Sequence, residues 1–134
     1  MIVVDTNVIC YRWMASAHSE TVERVWAKDP DWIAPLLWRS EFRSALTGAL
    51  RKKLIELEAA ISIAEKAEAQ FVGREFLVSP RAVLDLVAAS RCSAYDCEFI
   101  ALAQEHQTVL VTEDRDLLRE FSTVSKSLEE FLRR

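Results

Sequence analysis

Asp5, Glu41, Asp96 and Asp114 are the residues of this chain whose type and setting point to chemistry. Asp5 ends the apolar run Ile2-Val3-Val4 and opens the polar stretch Asp5-Thr6-Asn7. Asp114 follows a second apolar run, Val109-Leu110-Val111, across Thr112 and Glu113. Acids just past buried strands lie where α/β sheets bind ligands, beyond the carboxyl ends of their strands. Carboxylates gathered from distant parts of a chain have one common use, to hold a hard divalent cation through oxygen.

Each acid also has a purely structural role open to it. Asp5 can cap a helix starting near Asn7. Ser93-Ala94-Tyr95-Asp96 fits a capping box, with the acid three residues after the cap. On a helical wheel, however, Phe99, Ile100 and Ala103 share the face of Asp96, which aims its carboxylate inward. An inward charge is costly unless compensated, and a metal compensates it. Glu98 falls nearly opposite, so Asp96 is preferred to it. Glu41 lies at the margin of a stripe formed by Trp38, Phe42, Ala45 and Ala49. Asp114 and Asp116 both follow the late strand, and either can face a site or stabilise a helix N-terminus. Asp114, nearer the strand end, is the first choice, with Asp116 an auxiliary candidate.

Among the elements that carry these acids, Ile2–Val4 reads as a buried strand and Val8 to Trp13 as helical. Glu20 to Ala27 is expected to be a helix, and Trp32 to Ala34 a strand. Pro35 suits the first turn of a helix running to about Lys53. Leu54 to Phe71 repeats the helical spacing, so residues 36–71 form a long helical hairpin. Glu75 to Val78 reads as a short strand and Pro80 to Arg91 as a helix. Ser93 caps a helix to His106, and Thr108 to Val111 is the clearest late strand. Asp114 to Phe121 and Leu128 to Leu132 complete the helices. Strands alternating with helices predict an α/β three-layer sandwich, a short parallel sheet flanked by helices.

The 134 residues, half of them hydrophobic, suffice for one compact domain over residues 1–134. The net charge of -4 and pI near 5.3 disfavour a protein that coats nucleic acid by bulk charge. They leave room for a nuclease, whose metal site is itself acidic. Three cysteines without CxxC spacing fit a reduced, cytoplasmic setting better than a disulfide framework. His18 and His106 have no Cys or His at zinc spacing. The start MIVVDTN has no basic leader, and no apolar run is long enough to span a bilayer, so no membrane is expected.

Taken in order, Val-Val-Asp-Thr-Asn-Val, Trp-Arg-Ser-Glu-Phe-Arg-Ser-Ala-Leu, Tyr-Asp-Cys-Glu-Phe-Ile-Ala-Leu-Ala and Leu-Val-Thr-Glu-Asp-Arg-Asp resemble the PIN-domain family. The single-domain form is similar to VapC-type toxins of toxin–antitoxin pairs. The resemblance runs from residue 2 to about 120. It implies a metal-dependent endoribonuclease using Mg²⁺, with Mn²⁺ as substitute. It maps metal-site acids onto Asp5, Glu41, Asp96 and Asp114. Of these we take Asp5 and Asp96 as direct or near-direct metal ligands, Asp114 as completing the metal site directly or through water, and Glu41 as holding a metal-bound water. Thr112 matches a small hydroxyl residue before the last acid, and Asn7 joins it as an auxiliary candidate. Cys97 and Glu98 add a polar pair after Asp96 that bears on the outer shell. The resemblance further implies an RNA substrate, a cognate antitoxin protein and a homodimer.

Arg39 and Arg43, one helical turn apart, are candidates for RNA phosphate contact. Arg51, Lys52 and Lys53 can do the same or complement the helix dipole. The four tryptophans are read chiefly as packing residues. The hairpin offers an apolar groove to a partner helix. An aspartate-phosphorylating hydrolase would want a second acid where Asn7 stands. A receiver domain would want paired acids near the first strand and a lysine after a late one. The remaining alternative is a catalytically silent PIN-like module that binds RNA or protein.

Overall fold

The computed structural model describes residues 1–134. Five short strands form one sheet: β1 (Ile2–Val4), β2 (Trp32–Pro35), β3 (Glu75–Phe76), β4 (Leu110–Val111) and β5 (Ser125–Lys126). Eight helices surround it: α1 (Thr6–Trp13), α2 (Ser19–Lys28), α3 (Trp38–Arg51), α4 (Leu57–Gln70), α5 (Pro80–Ala88), α6 (Ala94–Glu105), α7 (Arg115–Glu120) and α8 (Leu128–Leu132). No helix is long and apolar enough to cross a membrane.

Every strand pair is parallel, in the order β3-β2-β1-β4-β5. Parallel strands need crossovers, and right-handed crossovers place α1 to α4 on one face and α5 to α7 on the other. The expected parallel α/β sandwich is the observed one. Burial follows from the layers. Ile2, Val3 and Val4 are all buried, as strands covered on both faces must be. The core joins them to Trp32, Trp38, Phe42, Phe99, Ile100 and Leu110.

Several local expectations are corrected. Pro35 ends β2 rather than starting a helix. Ala34 N and Leu36 N donate toward β3, to Arg74 O (3.1 Å) and Phe76 O (3.0 Å). The imide of Pro35 lies on the β1 side, past the last pair there, Val3 with Ile33, so no ladder bond is lost. Helix α3 therefore starts at Trp38, and its inward row is Trp38, Phe42 and Leu46, with Ala45 exposed. The hairpin of α3 and α4 is present, but α4 begins at Leu57, after a turn that puts Lys53 at φ 57°. Strand β5 is an addition that no apolar run announces.

Helix α6 differs most from its wheel. Cys97, Phe99, Ile100, Ala101, Leu102 and Ala103 are all buried, because α6 packs on β1, β2, β4 and α5 together. With apolar contacts nearly all round, the wheel cannot separate Asp96 from Glu98, and both are half-buried. The cap is as expected: Ser93 Oγ accepts from Asp96 N at 3.0 Å. Ser93→Ala removes that bond at the end of the helix carrying Asp96, and such caps contribute roughly 0.5–2 kcal/mol. Urea unfolding should therefore show a lowered midpoint with an unchanged slope.

Candidate metal centre

The carboxyl ends of parallel strands share one edge. On this sheet the chain runs from β1 outward to β2 and β3, and on the other side to β4 and β5. The reversal falls between β1 and β4, where open α/β sheets form a crevice. Asp5 leaves β1 into that crevice, its backbone N–H donating to Val111 O at 3.0 Å. Thr112 and Asp114 leave β4 beside it.

Asp5, the first candidate ligand, is also a helix cap. It precedes α1, and its Oδ1 accepts from Thr6 N at 2.7 Å. Its Oδ2 accepts from the Thr112 hydroxyl, also at 2.7 Å. Thr112 is fully buried, and its oxygen accepts in turn from Asp114 N at 3.0 Å. One hydroxyl thus couples the ends of β1 and β4. Asp114 Oδ1 caps α7 through Asp116 N (2.9 Å) and Leu117 N (3.0 Å). The cap occupies one carboxylate oxygen and leaves Oδ2 outside it.

Glu41 enters from the first turn of α3, after β2. The Thr6 hydroxyl donates to its Oε1 at 2.7 Å. Asp96 comes from the first turn of α6, whose N-terminus lies at the same edge because α6 runs antiparallel to the following β4.

These acids share a field. Burial pushes the Asp5 carboxyl up to about 7, and Glu41 and Asp96 push the same way against the hydrogen bonds from Thr112 and Thr6. Glu41 is raised by burial and by Asp96, with Thr6 opposing. Asp96 is raised by burial, then by Asp114, with Ser93 opposing and Asp116 adding less. Cys10, packed beneath, is pushed up to about 12 by burial, Asp5 and Glu41. None of the four acids pairs with a lysine or arginine.

No three His, Cys, Asp or Glu side chains close into a ready coordination sphere. The donors are nonetheless all carboxylate oxygens, the chemistry hard cations prefer. Mg²⁺ keeps several waters and needs only one or two direct carboxylates, so this set fits a hydrated ion.

The auxiliary candidates divide. Asn7 lies beside Thr112, with long contacts of 3.5 Å from its Nδ2 to Thr112 Oγ1 and from Glu113 N to its Oδ1. Asp116 is exposed and pairs with Arg119 at 2.7 Å. Arg39 is committed to Glu75 through two bonds, of 2.6 and 2.7 Å, and Arg43 to Glu68 at 2.7 Å. Sequence reasoning missed Thr6, whose backbone serves Asp5 while its hydroxyl serves Glu41. A hydroxyl residue at a strand-to-helix junction next to an acid is the signal that marks it. It also set Glu98 aside, yet burial and the charge of Glu41 raise the Glu98 carboxyl.

A comparison with protein families matches residues 2–122 to the PIN domain. A comparison of the sequence with curated proteins finds no match. Among solved structures, PAE2754 from Pyrobaculum aerophilum is similar at a TM-score of 0.76 and 24% identity, over 99% of this chain and 87% of that one. FitAcB from Neisseria gonorrhoeae is similar at 0.73 and 18% identity, over 96% of this chain and 99% of that one. FitAB bound to an IR36 DNA fragment is similar at 0.70 and 18% identity, over 96% and 95%. These likenesses agree with the parallel sheet and its flanking helices, and the family match spans all four acids: this chain belongs to the PIN-domain family.

Proposed function

We propose that this protein is a Mg²⁺- or Mn²⁺-dependent endoribonuclease of the VapC type, acting as the toxin of a toxin–antitoxin pair. The observation that carries the reading is a set of four acids at one sheet edge, with Asp5, Glu41 and Asp96 within one another's field, Asp114 acting on Asp96, and no basic side chain matching any of them. PIN membership and the single-domain size support it. DNA-bound FitAB, as a structural neighbour, favours contact with nucleic acid. The partners of this reading are RNA, an antitoxin and a second copy of the chain, in the cytoplasm.

Asp5, Asp96 and Asp114 would hold the ion. When bound, Mg²⁺ polarises a phosphate oxygen and lowers the pKa of water. Glu41 would orient the attacking water and take its proton. Thr6 fixes one oxygen of Glu41 and leaves the other for that task. Water attacks phosphorus and gives its proton to Glu41, the bond to the leaving oxygen breaks, and that oxygen takes a proton from solvent to leave as a hydroxyl. Thr112 acts through Asp5 as a positioning residue.

Cleavage of RNA in Mn²⁺ should be abolished by Asp96→Asn while circular dichroism and the melting profile remain native-like. Retained full activity would remove Asp96 from the mechanism. Metal-independent wild-type behaviour, with RNA bound but never cut, would instead favour the silent binding module. A DNA strand of equal length belongs in the same assay.

The sign of the pH effect follows from Asp5. Its carboxyl titrates near 7 when folded, against an ordinary 3.8. A raised carboxyl binds more protons folded than unfolded, so stability is fullest below about pH 4 and falls as pH rises to 7. Asparagine abolishes that titration, although its amide nitrogen must meet one of the two donors now facing Asp5. The stability of Asp5→Asn relative to wild type should therefore increase between pH 4 and pH 8, by about 1–4 kcal/mol. Thermal melts at the two pH values measure it, and Mg²⁺ should raise the wild-type melting temperature but not that of Asp5→Asn.

Thr112→Val keeps the shape and deletes the hydroxyl. Asp5 Oδ2 and Asp114 N both lose their partner, at a cost of about 1–3 kcal/mol. Denaturant titration should report that loss, and Mn²⁺ titration a weaker metal affinity.

A further inference from the structure

The carboxyl edge of the sheet does not end at the acids. Beyond β2 it continues to β3, whose exit residues Leu77 and Val78 wall a concavity of about 320 Å³. Pro80, Val83 and Leu84 of α5 form another wall, and the half-buried Glu98 of α6 is its single charged residue. Leu77 is 82% exposed and Leu84 59%, so apolar surface faces water here. Tyr95, 62% exposed, lies one turn before Glu98 on α6, three residues away and therefore on a neighbouring part of the helix surface. Asp96 sits between them in sequence, and Glu98 lies within the electrostatic reach of Glu41.

We infer that this concavity is a nucleobase subsite that selects guanine beside the scissile phosphate, with Glu98 as the specificity-determining residue. The inference rests on the ribonuclease reading and adds a substrate preference to it.

The chemistry favours this occupant. The lone Glu98 carboxylate, with no basic residue in the lining, repels a phosphate and so disfavours the RNA backbone as the occupant. Its aliphatic walls suit the flat face of a base, and RNA is read chiefly through unstacked bases packed on side chains and hydrogen-bonded at their edges. An ionised carboxylate only accepts hydrogen bonds, and it accepts two in parallel best. Guanine alone among the four bases presents two adjacent donors on its pairing edge, the N1–H and the N2 amino group. Adenine and cytosine place a ring acceptor beside their amino group, and uracil flanks its one N–H with two carbonyls. The placement agrees: the concavity lies at the exit of β3, two strands from β1 in the sheet order, and Glu98 feels the charge of Glu41.

Two measurements test the subsite. In the first, guanosine, adenosine, cytidine and uridine are titrated into the intact protein without metal, and methyl NMR signals are followed. Guanosine should shift Leu77, Val78, Val83 and Leu84 more than the others do, and Glu98→Gln and Leu77→Ser should each reduce that response. Equal responses to all four nucleosides, or none, would overturn the subsite. In the second, Mn²⁺-dependent cleavage is compared on RNA oligomers differing only by guanine, inosine or adenine next to the cut. Guanine should be preferred at least tenfold in kcat/KM over adenine, inosine should fall between, and Glu98→Gln should collapse the ratio. A preserved ratio, with all substrates slowed alike, would show Glu98 serving the metal instead. If Leu77→Ser turns a dimer into a monomer and leaves the guanosine response intact, the patch is an interface between copies and the inference fails. Guanosine binding without any RNA cleavage would support the subsite and refute the ribonuclease reading, so the two fail separately.

Discussion

A buried hydroxyl holds this edge of the molecule together. Thr112 donates to Asp5 and accepts from the backbone of Asp114, so the ends of β1 and β4 are fixed to each other across the point where the sheet reverses direction. The two strands share only a short ladder, Val3 with Leu110 and Val4 with Val111. Beyond it the chains would part, one into α1 and the other into α7. The Asp5 N–H still reaches Val111 O past the last pair, and the hydroxyl adds a side-chain tie from Asp5 to the start of the loop bearing Asp114. Thr6 does the same between α1 and α3, linking Asp5 through its backbone to Glu41 through its side chain.

Holding acids together in this way costs stability. Asp5 is buried and carries neighbours of its own sign, so its ionised form is disfavoured in the folded chain. The surrounding core absorbs the cost. Trp32, Trp38, Phe42, Phe99 and Leu110 are essentially withdrawn from water, and the strands beneath the acids are buried on both faces. Two of the candidate ligands are also structural. Asp5 and Asp114 each cap a helix with one oxygen, a role that stabilises the fold and at the same time aims the carboxylate.

Much of this was legible in the sequence because it depends on local rules. Ile2–Val4 is a buried strand by composition alone, and Ser93 is a cap by residue type and spacing. The parallel sheet follows from strands alternating with helices, and that alone places Asp5 and Asp114 at one edge. What was not legible depends on neighbours. Strand β5, Ser125–Lys126, has no apolar signature, since the backbone of β4 defines it. Pro35 is a good helix starter in isolation and a strand residue here, because the ladder to β1 has already ended. Helix α6 is buried on nearly every side, so its wheel could not rank Asp96 above Glu98. Thr6 and Thr112 are ordinary in sequence and become informative only through their hydrogen-bond partners.

The central claim is that Asp5, Asp96 and Asp114 gather one cation. Anomalous diffraction from a crystal grown with Mn²⁺ tests it most directly, because the ion locates itself without reference to activity. The account predicts a strong peak at the carboxyl end of β1, within direct or water-mediated reach of those three carboxylates. Full Mn²⁺ occupancy elsewhere on the molecule, with this edge bare, would contradict it.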